Sequence, residues 1–258
     1  MILDAATCWH LTGRAYVPYM AALPAGIGLL REGGWIALTG GPIASLNMAY
    51  IEDGPRAEEI LGEFVESIAA TGHPAIVLLP DALAARLAAQ AGRLGLERTD
   101  PLPLMTAQFG VDLALGVNAG GFTVAQVEDE AGLEAVLALQ AETFVMPLGA
   151  LRCAMDATIL ESPVFDLFIA TRDGSPFSTV TTATVGGVTS LWAMATPPAK
   201  QRQGAGRATL LAALAYHRAR GVEHFFLGAS TAGRPLYERC GFAPIGDTAM
   251  WVCDPSGR

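Results

Sequence analysis

The chain has 258 residues, enough for one large domain or two of ordinary size, and 52% of them are hydrophobic against 16% charged, so a core is amply supplied. A formal net charge of -9 argues against general nucleic-acid binding, which needs a basic face. Apolar runs are broken early (AIVLL meets Pro80 and Asp81), and MILDAATCWHLTGR carries Asp4 where a leader would have a basic start, so the expectation is a cytoplasmic protein without a membrane span.

In chain order, ASLNMAYI (44–51) reads as a strand and AEEILGEFVESIAATG (57–72) as a helix, with Ile60, Leu61, Phe64, Val65 and Ile68 on one stripe. A strand AIVLL, a helix ending in QAGRLGL and a strand PLPLMTA follow. The small, glycine-rich ALGVNAGGFTV (114–124) reads as a linker. Beyond it TSLWAMAT (189–196) is a strand stopped by Pro197 and Pro198, and residues 206–220 are a helix closed by Gly221. A strand HFFLGAS, a short helix ending at ERCGF and a last strand TAMWV complete the chain. The same order of elements thus occurs twice, and the spacings agree: Gly72 to Gly95 is 23 residues and Gly221 to Gly241 is 20. We read 44–105 and 189–252 as equivalent βαβαβ units, with domains at 1–118 and 119–258.

The cysteines Cys8, Cys153, Cys240 and Cys253 are scattered, and the four histidines are equally dispersed, so reduced thiols and no metal are expected. One stretch stands out. QRQGAGRATLL places Gly204 and Gly206 at the mouth of a helix, where several N–H groups lack intrahelical partners and carry partial positive charge. Glycine there removes the Cβ atoms that would hold a ligand off, and Lys200, Arg202 and Arg207 add cations to an otherwise acidic chain. Together they describe a site for a phosphate or pyrophosphate. A P-loop would need a second glycine followed by lysine, and a Rossmann fingerprint would need glycine or alanine where Thr209 stands.

Gln201-x-x-Gly204-x-Gly206 resembles the Q/R-x-x-G-x-G/A pyrophosphate loop of the GNAT family of acyl-CoA N-acyltransferases. LYERCGF (236–242), 32 residues after Gly204, is similar to that family's LYxxxGF segment. The resemblance covers roughly 165–253 well and 119–164 loosely. It implies an α/β fold in the α+β sense: two GNAT-like lobes, each a mixed, mostly antiparallel sheet flanked by helices, with only the C-terminal lobe binding cofactor. It further implies acetyl-CoA as co-substrate and the primary amine of a small molecule or peptide as acceptor, attacking the thioester directly. The alternative is a non-catalytic acyl-CoA-binding or sensing protein.

By the same resemblance the backbone of Met194, Ala195 and Thr196 pairs with the pantetheine arm, and Gln201, Arg202, Gln203, Gly204, Ala205, Gly206 and Arg207 form the pyrophosphate cradle. Ser230 stands where the family has asparagine, and Tyr237 matches the tyrosine that faces the cofactor sulfur as acid. Acyl transfer also needs a base, and Glu142, Asp156, Glu161 or a water are the candidates. In the N-terminal half the matching loop reads YIEDGPRAEEI, where Glu52 and Asp53 would repel a pyrophosphate and Pro55 lacks an N–H. That half is read as degenerate.

Overall fold

The computed structural model describes residues 3–109 and 120–257. They form two compact units, the first holding residues up to Leu104 and again from Ile245, the second Met105–Pro244. The first opens with α1 (Ala5–Ala22), capped by Asp4, whose carboxylate accepts the Thr7 N–H at 2.8 Å. Antiparallel strands β1 (Ile27–Arg31) and β2 (Gly34–Leu38) lead to β3 (Met48–Ile51). The strand expected from residue 44 therefore starts later. Residues 44–46 are a 3₁₀ turn, and the buried Asn47 side chain fixes it by accepting from Thr39 N–H at 2.8 Å and donating to the Gly41 carbonyl at 2.8 Å. Next come α2 (Ala57–Thr71), β4 (Ala75–Pro80), α3 (Asp81–Arg93), β5 (Leu96–Arg98) and β6 (Leu102–Gln108). The α2 stripe Ile60, Leu61, Phe64, Val65 and Ile68 is buried against the sheet as its periodicity demands, at about 1.5–3 kcal/mol for each large side chain.

The second unit begins with β7 (Thr123–Gln126), α4 (Glu130–Phe144) and α5 (Leu148–Ala154). A three-stranded meander, β8 (Phe165–Arg172), β9 (Ser175–Val185) and β10 (Val188–Ala195), runs into α6 (Ala205–Arg218). β11 (His224–Gly228), α7 (Arg234–Arg239) and β12 (Ala243–Cys253) follow, close to the expected bounds. The expected domain boundary at 118 and most of the glycine-rich segment lie at 110–119, outside the described residues.

Strand order in the first unit is β1-β2-β3-β4-β12, with β5 also against β12. In the second it is β6-β11-β10-β9-β8-β7. The pairs β3–β4 and β10–β11 are parallel, each joined by the crossover helix α2 or α6, while β1–β2, β2–β3, β4–β12, β5–β12, β7–β8, β8–β9 and β9–β10 are antiparallel. Both units therefore show the doubled element order, with one twist: the closing strands are exchanged. β12, which follows α7 in the chain, pairs with β4 in the register Trp251↔Val77, and β6, which follows α3, lies beside β11. The sheets are mixed and flanked by helices, as the α/β reading requires.

Under α6 the core joins Leu210, Leu211 and Leu214 to Phe225, Leu227, Tyr237 and Phe242. At the far end of α6 the buried His217 ring shares a 2.8 Å hydrogen bond between Nε2 and the Thr182 hydroxyl. Burial, with help from the Arg220 charge, pushes His217 down to about 4 from its ordinary 6.5. Its charged and titratable neighbours are Asp166 on β8, at 3.9 Å, Tyr216 on α6, and Arg220 in the turn after α6. An unfolded histidine takes a proton as pH falls through about 6.5, but the folded one resists until about 4. Stability should therefore fall across that window, by up to about 3 kcal/mol. Asp166, raised by burial, takes its proton earlier in the folded chain and offsets part of this loss. A His217→Gln variant should show a shallower decline in urea midpoint between pH 7 and pH 4.5; an unchanged slope would count against His217 as the cause.

Candidate functional site

The pairing of β10 with β11 runs from Val188↔His224 to Leu191↔Leu227 and stops. β10 continues to Ala195, held on its other edge by β9 (Ala195↔Thr179) past an irregularity between Trp192 and Ala195, where Ala193 takes a φ of 47°. The edge of β10 that faces β11 is thus free of that partner over Trp192–Ala195. This opening includes Met194 and Ala195, with Thr196 next to it. Thr196 is tied down: its hydroxyl donates to Ser178 Oγ at 2.9 Å, and its carbonyl accepts from Gln201 Nε2 at 2.9 Å.

The loop after β10 ends on an uncapped helix. The first helical bond of α6 runs from Ala208 N–H to the Gly204 carbonyl at 3.0 Å, so the N–H groups of Gly204, Ala205, Gly206 and Arg207 have no intrahelical partner. No side chain caps them, whereas α4 has Asp129 on the Gly132 N–H at 2.8 Å. Gly204 sits at φ 92°, a left-handed conformation that suits glycine, and Arg202 sits at φ 62°. Gln201, Arg202, Gln203, Gly204 and Arg207 are exposed, and among the described residues no carboxylate pairs with Lys200, Arg202 or Arg207. A Cβ on Gly206 would stand 3.4 Å from Met194 Cε and from Thr196 Oγ1, and 3.6 Å from Leu236 Cδ2. Gly206 therefore looks into the gap between the end of β10 and α7. Open donors, cations and missing side chains converge there, and the arrangement fits a phosphate-bearing ligand laid along β10.

α7 brings Tyr237 to the same gap. Its hydroxyl donates to Met194 Sδ at 3.7 Å, its ring packs on Phe242, and burial pushes its pKa up to about 12. Ser230 is exposed and its hydroxyl accepts the Gly233 N–H at 3.1 Å, a local cap of the turn before α7. Of the base candidates, Asp156 accepts the Thr158 N–H at 3.0 Å and so holds the 3₁₀ turn at 157–161, while Glu142 and Glu161 are exposed on α4 and at the end of that turn. The structure singles out none of the three. Among the described residues no cluster of His, Cys, Asp and Glu could hold a metal ion. One contributor was not anticipated: Arg172, at the end of β8, donates to Gln203 Oε1 in the loop, 31 positions away in sequence.

In the first unit the counterpart of the loop, between β3 and α2, is acidic. A cavity of about 300 Å³ there is lined by Asp53, Gly54, Pro55, Glu58 and Arg86, and Asp53 is bound to Arg86 at 2.8 Å. Glu58 and Glu59 occupy the first turn of α2. Carboxylates take the place that the second unit gives to cations and bare amides, which opposes a pyrophosphate.

The family model of the GNAT acetyltransferase domain matches residues 163–244, from the start of β8 into β12. No curated protein sequence matches the chain. Solved structures resemble it over nearly its whole length. A GCN5-related N-acetyltransferase from Kribbella flavida is 20% identical with a TM-score of 0.64, covering 95% of this chain and 94% of its own. One from Sphaerobacter thermophilus is 12% identical with a TM-score of 0.60, covering 86% and 77%. A tandem GNAT protein from the clavulanic acid biosynthesis pathway is 15% identical with a TM-score of 0.57, covering 91% and 85%. Residues 163–244 thus match the GNAT acetyltransferase domain, and the chain around them has the fold of GCN5-related N-acetyltransferases.

Proposed function

We propose that the chain is an acetyl-CoA-dependent N-acetyltransferase of tandem GNAT design, in which the second unit binds the acyl donor and the first has lost that capacity. The observation that carries this reading is the uncapped start of α6 at the mouth of the β10–β11 opening, where among the described residues no carboxylate pairs with Lys200, Arg202 or Arg207. The amides of Arg202–Arg207 would hold the pyrophosphate, and the free edge at Met194 and Ala195 would pair with the pantetheine arm. Acetyl-CoA supplies the thioester carbonyl that a neutral amine attacks. As the carbon–sulfur bond breaks, Tyr237, still protonated, donates a hydrogen bond to the departing sulfur. The proton leaving the amine goes to a carboxylate or a water.

A second reading, an acyl-CoA binder without turnover, draws on one observation: among the described residues the Tyr237 hydroxyl meets Met194 Sδ rather than a carboxylate, while Asp156 holds a local turn. Thiol release from acetyl-CoA over a panel of small primary amines and short peptides separates the two. Amine-dependent release supports transfer; tight acetyl-CoA binding with no release from any acceptor supports the binder.

A further inference from the structure

We propose that Arg172 is a positioning residue for the acyl-CoA loop: it holds Gln203, and through Gln203 the turn between the left-handed positions Arg202 and Gly204 that faces the loop amides outward. The inference rests on the acyl-CoA reading above. Arg172 ends β8 at the hairpin to β9, paired with Ser175. Its guanidinium carbon lies 4.7 Å from the Phe122 ring centroid and 4.4 Å from that of Phe177, and the two rings meet edge to face at 5.2 Å. Cation–π contacts with two rings hold a side chain that would otherwise be mobile. Thus fixed, it donates to Gln203 Oε1.

Two other contacts, from β9 and from Phe122 ahead of β7, converge on the loop. Lys200 Nζ donates to the Pro176 carbonyl at 2.8 Å, and Phe122 and Phe177 pack with Ala205 and Ala208 in the first turn of α6. The loop needs such bracing. A non-glycine residue at positive φ, here Arg202, persists only where its surroundings over-determine it. Gln203 lies between Arg202 and Gly204, the two left-handed positions. Its side chain points to Arg172, leaving its backbone to the anion. A planar fork stacked on rings can hold an amide oxygen in a way a lysine ammonium cannot reproduce.

The test is a mutant cycle read by calorimetric acetyl-CoA binding. Arg172→Gln and Gln203→Leu should each raise Kd by roughly tenfold, and the double variant should be no worse than either alone. Arg172→Lys, which keeps the charge, should behave like Arg172→Gln. For Arg172→Gln, kcat at saturating acetyl-CoA should stay within about twofold of wild type, because Arg172 lies outside the cradle and acts only on the loop's shape. Normal affinity in Gln203→Leu, full rescue by Arg172→Lys, or additive losses would each overturn the proposal by making Arg172 a bare charge or a bystander. A wild-type chain that fails to bind acetyl-CoA overturns the underlying reading and this inference with it; wild-type binding with silent variants overturns this inference alone.

Discussion

Replacing Tyr237 with phenylalanine should lower kcat by about 10² while KM for acetyl-CoA stays nearly constant. The hydroxyl is the only atom removed, and the ring keeps its place against Phe242, so the fold should be undisturbed. Its present partner is a thioether at 3.7 Å, a weak acceptor whose loss costs little. The raised pKa refines the role. With the phenol near 12 and an ordinary thiol near about 8.5, complete proton transfer to the leaving thiolate is uphill, so Tyr237 acts chiefly by hydrogen-bonding the charge that develops on sulfur. It remains protonated through the neutral and mildly alkaline range, and the pH–rate profile should show no fall attributable to it below about pH 11. A ring that serves only packing gives the opposite pattern: near-normal turnover for Tyr237→Phe and damage only from Tyr237→Ala. A phenylalanine variant within threefold of wild type, with chemistry rate-limiting, would remove Tyr237 from the mechanism.

Gly206→Val should weaken acetyl-CoA binding by at least about tenfold, near 1.4 kcal/mol. A first carbon at this position meets Met194, Thr196 and Leu236 at ordinary to close contact distances, so it fits without breaking the fold. The two further methyl groups of valine would extend into the gap between β10 and α7, where the proposed function puts the acyl donor. They also stand beside the first N–H groups of α6, which no side chain among the described residues caps. Valine at a helix start costs little relative to glycine, so α6 should survive. Unchanged affinity in a folded variant would take the pyrophosphate away from this loop.

The loop was legible because its chemistry is local: two glycines, three cations and a helix start within eight residues. The α2 and α6 stripes were legible for a related reason, since a 3.6-residue period survives in any window of that length. α1, β1 and β2 left weaker traces. Thr12 and Gly13 interrupt the apolar face of α1, Pro18 stands inside it as a helix-breaking residue, and β2 is buried along its whole length, so it shows no alternation. The strand expected from residue 44 gave way to a turn because Asn47 satisfies neighbouring backbone groups with its side chain. Two features depend on distant partners and have no signature in a window. The exchange of closing strands joins Trp251 to Val77, and Arg172 reaches Gln203 only because the β8–β9 hairpin returns beside α6. Tyr237 was put forward from its motif, while no base was selected, because solvated and engaged carboxylates look alike in sequence.

The central claim is that one half of this doubled chain binds the acyl donor and the other does not. Titrating acetyl-CoA into the wild-type chain in a calorimeter tests it directly. The account predicts a single site per chain, weakened by Gly206→Val and indifferent to Asp53→Ala in the acidic counterpart loop. Two sites per chain, no binding at millimolar acetyl-CoA, or a site lost on changing Asp53 while Gly206→Val binds normally would contradict it.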